Sequence, residues 1–291
     1  TNLNLRYQNN TIIADSLFGI KYNLSNFDLN KYGFNHVTSE KTMGLYQNNN
    51  ASQLAILTDG IYNNIDFTVN TLDNQTSLLN ALSGLNLTYF KRAPSQLFDQ
   101  DAKSLNQRVA KNVSNSNKDF VTITYRVIAP PHSQLYVSVP NISWSDDNNH
   151  SLSITVNGVT KNQVTDNTFD FFDLGYFETE SMVTIKLSFS GNKAISFDNP
   201  SFYALDTKNY QIAMDTINER DSKVTTSNNK VFVDYSSKTN ASLFFTIPYD
   251  KGWTATINHK KVKIQRAQKG FMKVDVPSGK GKVVLTFIPY G

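Results

Sequence analysis

From residue 120 onward, apolar side chains recur at every second position, and this alternation constrains the fold more than any other feature. Val121, Ile123, Tyr125 and Val127 alternate with polar residues. So do Leu135, Val137 and Val139, then Leu152, Ile154 and Val156, then Val183, Ile185, Leu187 and Phe189. Side chains of a strand point alternately to its two faces, so each run predicts a strand with one buried face. Asn157-Gly158 predicts a two-residue hairpin, because both central positions of a type I′ turn need positive φ. Evenly spaced strands with turn residues between them predict sheets stacked face to face.

The pattern returns over residues 223–291. Val231, Val233 and Tyr235 alternate, followed by Leu243, Phe245 and Ile247, then Trp253, Ala255 and Ile257. Val262 and Ile264, then Met272, Val274 and Val276, and finally Val283, Leu285 and Phe287 complete the set. One helix separates the two groups of strands. Asp206 or Thr207 can cap it, and Tyr210, Ala213, Met214 and Ile217 share one face. Met214 reads as core.

The first 93 residues mix signals. Thr11 to Leu24 reads as a short helix or turn leading into a strand, and Leu54-Ala55-Ile56-Leu57 as a short buried strand. Asp73-Asn74-Gln75-Thr76 offers a helix cap before Leu78, Leu79, Ala81 and Leu82, and Gly84 stands where the glycine closing a helix belongs. Pro94 and the polar run Asn112–Asp119 read as a boundary and a loop. The expectation is a mainly β, α+β chain. A small N-terminal α/β unit (1–93) precedes a jelly-roll or galactose-binding-like β-sandwich of antiparallel sheets (94–206). The intervening helix and a C-terminal β-sandwich (207–291) follow, either as a domain of their own or continuous with the preceding sandwich.

Composition narrows the function classes. Hydrophobic residues make up 39% and charged residues 18%, enough apolar surface for packed cores. The net charge is only +4 and its cations are scattered, which does not suit a nucleic-acid binder. Lys260, Lys261, Lys263, Arg266 and Lys269 form a mild cluster. It reads as a lysine-guarded edge strand, with an anionic membrane surface or polyanionic glycan as the alternative. Cysteine is absent, which excludes disulfides, thiolate metal sites and a Cys nucleophile and suits an exported protein of a Gram-positive bacterium. No run of about 18 apolar residues predicts a membrane-spanning helix. No signal peptide opens the chain, and its abrupt ends read as a segment of a longer protein.

Catalytic signatures are sparse. There is no phosphate-binding loop, His-Glu-x-x-His or Gly-x-Ser-x-Gly, and His36, His132, His150 and His259 are isolated from one another. No cofactor and no catalytic residue is expected. Asp146-Asp147, Asp170 with Asp173, and Asp198 are the acids that a glycosidase reading would need. Asp146, Asp147 and Asn148 could instead pin a loop around calcium, the weak candidate for a metal site. Of the two tryptophans, Trp253 alternates inward as core, while Trp144 sits near a loop where its ring could stack on a sugar.

One segment is distinctive. Phe245-Thr246-Ile247-Pro248-Tyr249-Asp250-Lys251-Gly252-Trp253 leads into a strand, then come Gly270-Phe271-Met272, Pro277-Ser278-Gly279 and a last strand to Ile288-Pro289-Tyr290-Gly291. Pro248 ends strand pairing, Asp250 favours a turn, and Gly252 is expected to supply a positive φ. This series resembles the extracytoplasmic C-terminal region of the YfhO family of bacterial multi-spanning membrane proteins. Ala14-Asp15-Ser16-Leu17-Phe18-Gly19-Ile20-Lys21-Tyr22, Leu45-Tyr46-Gln47-Asn48 and Leu78–Gly84 are similar to it as well. Two departures stand out. Asn258-His259 replaces the usual Asn-Gly or Asp-Gly hairpin, and Gln47 stands where the family pattern has Glu.

The resemblance implies a larger protein in the cell membrane, with this part on the extracytoplasmic side. It implies a parent glycosyltransferase that uses a polyprenyl-phosphate-linked sugar on cell-envelope polymers such as lipoteichoic acid. The partners implied are the protein's own transmembrane region and a cell-envelope glycan or lipid-linked sugar, with no nucleic acid. The family's catalytic acid lies in a loop near its first membrane helices, which has no counterpart in this sequence. The candidate glycan contacts are Trp144, Tyr249, Asp250 and Lys251. A free-standing carbohydrate-binding or adhesive module is the alternative reading, and a glycosidase the third.

Overall fold

The computed structural model describes residues 11–100, 109–110, 120–144, 151–164, 171–190 and 195–289. The N-terminal part runs α1 (Ile12–Leu17), β1 (Tyr22–Ser25), β2 (Phe34–Glu40), β3 (Met43–Asn48), β4 (Ala55–Leu57), α2 (Thr71–Ser83) and β5 (Phe90–Arg92). The middle part runs β6 (Ser95–Gln100), β7 (Val109–Ala110), β8 (Phe120–Ala129), β9 (Ser133–Ser138), β10 (Ser143–Trp144), β11 (Ser151–Val156), β12 (Val159–Val164), β13 (Phe171–Phe177), β14 (Ser181–Ser190), β15 (Ile195–Ser196) and β16 (Ser201–Asp206). The last part holds α3 (Thr207–Asn218), β17 (Ser222–Ser227), β18 (Lys230–Ser237), β19 (Ala241–Phe245), β20 (Trp253–Ile257), β21 (Lys260–Val262), β22 (Gln265–Ala267), β23 (Phe271–Val276) and β24 (Gly279–Phe287).

The alternating runs become two β-sandwiches, so the chain is mainly β with few helices, as its periodicity predicts. In the first, the sheet β12-β11-β14-β8-β6 faces the sheet β13-β9-β16-β5. Ile123, Val127, Ile154, Val183, Ile185 and Leu187 from one sheet meet Leu135, Val137, Phe172 and Phe202 from the other. In the second, β17-β18-β24-β20-β21 faces β22-β23-β19-β4 around Val233, Leu243, Phe245, Val274, Val283 and Leu285. All pairings are antiparallel. Burying each such side chain contributes about 1.5–3 kcal/mol. Asn157 and Gly158, at φ 48° and 86°, form the expected hairpin turn, and Asn258 and His259, at 47° and 70°, form its equivalent.

Strands from the first 93 residues complete both sandwiches. β4 pairs with β19, with Leu243 opposite Leu57, and β5 pairs with β16, with Leu205 opposite Phe90. Between the sandwiches lies a third core built on α1, α2 and α3. Ile12, Ile13, Leu79, Leu82, Tyr210 and Met214 pack there against Tyr136 of β9 and Phe244 of β19. All residues of β9 and of β19 are therefore buried: one face of each lines a sandwich, and the other lines the helical layer.

The caps explain the helix limits. Asp206 accepts hydrogen bonds from the Lys208 and Asn209 N–H groups at the start of α3. α2 begins at Thr71, earlier than the Asp73–Thr76 cap predicted from sequence, because the Asn70 side chain accepts from Leu72 N and Asp73 N. Gly84 closes α2 at φ 78°, and Arg220 donates to the carbonyl oxygens of Leu82 and Ser83 at that end and to Leu57 O of β4. Burial holds the Arg220 guanidinium below its ordinary pKa.

The helical layer is also tied by buried polar groups. Tyr136 OH accepts from Ile12 N at 3.0 Å. Fully buried Gln134 accepts from Tyr32 N at 2.9 Å and donates to Asp173 at 2.6 Å. Lys31 and Asp15, both buried, form an ion pair. Removing one partner of such a pair leaves an uncompensated interior charge. Lys31→Met is thus expected to cost about 3–5 kcal/mol in urea unfolding. Adding Asp15→Leu is expected to recover part of that loss. A double variant as unstable as the sum of the two singles would show that the pair does not act as a unit.

Candidate functional site

The connection from β19 to β20 carries Tyr249, Asp250 and Lys251 to the rim of the second sandwich. Its shape follows from local hydrogen bonds. Asp250 accepts from Gly252 N at 2.7 Å through its carboxylate and from Trp253 N at 3.2 Å through its carbonyl oxygen. Tyr249 N donates to Gly270 O at 2.8 Å, and Ile288 N donates to Gly252 O at 3.0 Å. Gly252 does not have the positive φ expected from the sequence. It is glycine because β24 passes too close: a Cβ would lie 2.4 Å from Ile288 O and 2.8 Å from the Phe287 ring.

Two open grooves share Tyr249, Asp250 and Lys251. The larger, about 790 Å³, is completed by Arg266, Phe287 and Pro289. The smaller, about 220 Å³, is completed in part by Trp253, Thr254 and Lys261. The Arg266 guanidinium lies 4.7 Å from the centre of the Tyr249 ring, and Trp253 and Phe287 rings are 4.9 Å apart. Trp253 is half-buried against the sandwich core. Lys251, Lys261 and Arg266 thus surround a single carboxylate, Asp250, one of whose oxygens is held by its own turn. Such a rim can pair with an anion and stack a flat or ring-shaped group on Tyr249.

The other candidates fall elsewhere. Trp144 lies in β10, opposite Ile195 of β15, and is thus apart in the chain from the Tyr249 turn; its side chain is outside the described set. Asp146, Asp147, Asn148 and Asp170 lie outside the described residues. Asp173 accepts from Gln134 and from Gly175 N at the β13 bulge, and Asp198 accepts from Asn141 at 2.7 Å. Among the described residues, no group of three or more His, Asp or Glu side chains could hold a metal ion.

The N-terminal motifs are mostly scaffold. Ser16 Oγ and Tyr210 OH are 2.6 Å apart, and Asn48 donates to Ser16 Oγ and to Ile20 O, both at 3.1 Å. Tyr46 OH reaches Asp28 at 3.3 Å.

Residues 1–291 match the family described as "Bacterial membrane protein YfhO". The chain belongs to the YfhO family. It is 26% identical over 115 residues to an uncharacterized YfhO of Bacillus subtilis strain 168, an alignment covering 37% of this chain and 13% of that one. The chain therefore spans a small fraction of that relative's length. Among solved structures, a Paenibacillus cycloisomaltooligosaccharide glucanotransferase in complex with cycloisomaltoheptaose aligns at 9% identity and a TM-score of 0.26, over 68% of this chain and 46% of that chain. PorU from Porphyromonas gingivalis aligns at 11% and 0.21, over 85% and 23%. These scores are too low to assign a shared fold. Although YfhO is a membrane protein family, no helix among the described residues is long and apolar enough to cross a bilayer.

Sequence reasoning missed a partly buried polar cluster on β23. Asp275 of β23 accepts from Ser242, Gln265 and Lys273 at 2.6, 2.6 and 3.0 Å, and Lys273 also donates to Tyr62 O at 2.7 Å. Burial pushes the Asp275 pKa up, but these hydrogen bonds and the Lys273 charge outweigh it and hold the carboxyl below its ordinary value. Its contribution to stability is present above the unfolded carboxyl value, about 3.9. It is lost as pH falls through the lower folded value.

Two outcomes follow. Asp275→Asn is expected to flatten the acid limb of the stability curve below about pH 4, measured by thermal unfolding across pH. An unchanged acid limb would remove Asp275 as its source. Gly252→Ala is expected to lower the melting temperature more than Asp250→Ala, which loses one turn hydrogen bond of about 1 kcal/mol. The reverse order would show that β24 yields easily at this turn.

Proposed function

We propose that this chain is the extracytoplasmic part of a polytopic bacterial membrane protein. In this reading it recognises the acceptor for a glycosyltransferase that draws sugar from a polyprenyl phosphate and acts on a cell-envelope polymer of the lipoteichoic acid type. The observation that carries the proposal is the match of the full 291-residue sequence to a family of bacterial membrane proteins. The rim around Tyr249 supports it chemically. Its three cations outnumber its one carboxylate, and its half-buried tyrosine and tryptophan offer ring faces. A phosphate-linked polyol or sugar chain presents both an anion and an apolar ring or carbon face to such a rim.

Titration of the chain with a glycerol-phosphate oligomer tests this. Saturable binding is expected, weakening as salt is raised, and weaker still in Lys251→Gln and Arg266→Gln. Equal, salt-independent binding of neutral oligosaccharides would favour a free-standing carbohydrate-binding module. No binding by this chain or by the full-length membrane protein would overturn the proposal.

A further inference from the structure

The sheet β1-β3-β2 packs on the helical layer through Phe34 and Tyr46 and leaves its other face in solvent. Its register places Tyr22 of β1 opposite Gln47 of β3, and Gln47 opposite Asn35 of β2. These three side chains therefore share one face, since cross-strand partners point the same way. Tyr22 is 51% exposed, and the Lys21 ammonium lies 5.8 Å from the centre of its ring.

Gln47 of this row also lines an open pocket of about 410 Å³. Gly19, Lys21, Gln47, Asn49 and Gln53 line it, and Val224 and Thr226 of the edge strand β17 close its far side. Gln53 is committed: it accepts from Val224 N at 2.7 Å and donates to Ser222 O at 3.0 Å, covering part of that edge. Asn48 is committed to Ser16 and Ile20. Lys21, Gln47, Asn49 and Thr226 make no side-chain hydrogen bond within the described protein, although their backbones are fixed by strands or by neighbouring loops. Among the described residues of the lining, Lys21 is the one charged side chain.

We infer that this pocket and the Tyr22-Gln47-Asn35 row form a second binding site, for an anionic glycan. The tyrosine ring supplies a platform for the carbon face of a sugar or polyol, and the free amides match its hydroxyls in both donor and acceptor roles. The Lys21 ammonium, with no ion-pair partner among the described residues, can pair with one phosphate or carboxylate of the ligand. The inference rests on the reading that the chain contacts a cell-envelope glycan, and it adds where and by which chemistry.

The test is titration of the whole chain with the glycerol-phosphate oligomer and with a neutral oligosaccharide of the same length. Tyr22→Ala, Lys21→Gln and Leu24→Ser are compared, all exposed positions whose melting temperatures should match the parent chain. Tyr22→Ala is expected to weaken the anionic oligomer about tenfold, the loss of one stacking contact. With the Tyr249 rim silenced by Lys251→Gln and Arg266→Gln, Lys21→Gln should erase the remaining preference for the anionic over the neutral chain. Leu24→Ser, on the same face but away from the pocket, should bind as the parent does. If the parent binds and both Tyr22→Ala and Lys21→Gln bind equally well, this site is wrong while the glycan-recognition reading stands. If Leu24→Ser loses as much as Tyr22→Ala and Lys21→Gln loses nothing, the face is an apolar docking surface and the inference is overturned. If neither oligomer binds the parent chain, the recognition reading itself fails.

Discussion

Strands β9 and β19 have no face left for water, and the remaining architecture follows from that. Each lends one face to a sandwich and the other to the helical layer. Leu135 and Val137 point into the first sandwich while Tyr136 points into the helices; Leu243 and Phe245 point into the second while Phe244 does the same. A strand buried on both sides cannot slip by one residue without turning polar groups into one core and large side chains into the other. Tyr136 and Gln134 add a directional requirement, since each must meet a backbone N–H from the N-terminal segment. An unmet partner there would carry the full desolvation cost of a buried polar group. The two sandwiches are thereby held through one interior, although each has a core of its own.

Much of this could be read from the sequence. Alternation identified the inward positions of both sandwiches, because burial of one face is what selects a period of two. It failed for the outward positions of β9 and β19. Tyr136 and Phe244 occupy the face that alternation assigns to solvent, and single apolar residues are common there. The uninterrupted run Leu243-Phe244-Phe245 carried the missing signal, since continuous apolar strands are buried on both faces. The start of α2 was misplaced because Asp73 and Asn74 are as capable of capping as Asn70. Only the geometry, in which the Asn70 carboxamide meets two N–H groups, decides between them. The turn pattern assigns Gly252 a dihedral requirement, whereas the real constraint is the approach of a strand from the far end of the chain. Distances between residues remote in sequence leave no local mark.

The residues that resemble the family's pattern divide by chemistry. Asp15, Ser16 and Asn48 are buried and fully engaged, so they hold the helical layer to its neighbours. Lys251 stands exposed at the rim, where a side chain contributes little to folding and is free to contact a ligand, and half-buried Tyr249 lines the same groove. Gln47 lies between the two groups, half-buried beside engaged neighbours with its own amide unspent. The candidate site was partly legible because turn chemistry at Pro248-Tyr249-Asp250 announces exposure. Of the surrounding cations, Lys261 and Arg266 come from β21 and β22, and their convergence on this turn depends on sheet order that no local pattern encodes.

The pairing of β4 with β19 joins residues on opposite sides of the chain, and β5 reaches β16 in the same manner. Closing loops of that length costs entropy before any contact rewards it, which slows folding in proteins dominated by remote pairings. During vectorial emergence from a ribosome or a translocon, the first third of the chain would have to wait, with its short strands unpaired, until the last third arrived. Each sandwich would meanwhile expose an open sheet edge, the feature that seeds association between chains. The same geometry that unites the molecule at equilibrium makes its biogenesis the stage at which a holding chaperone matters most.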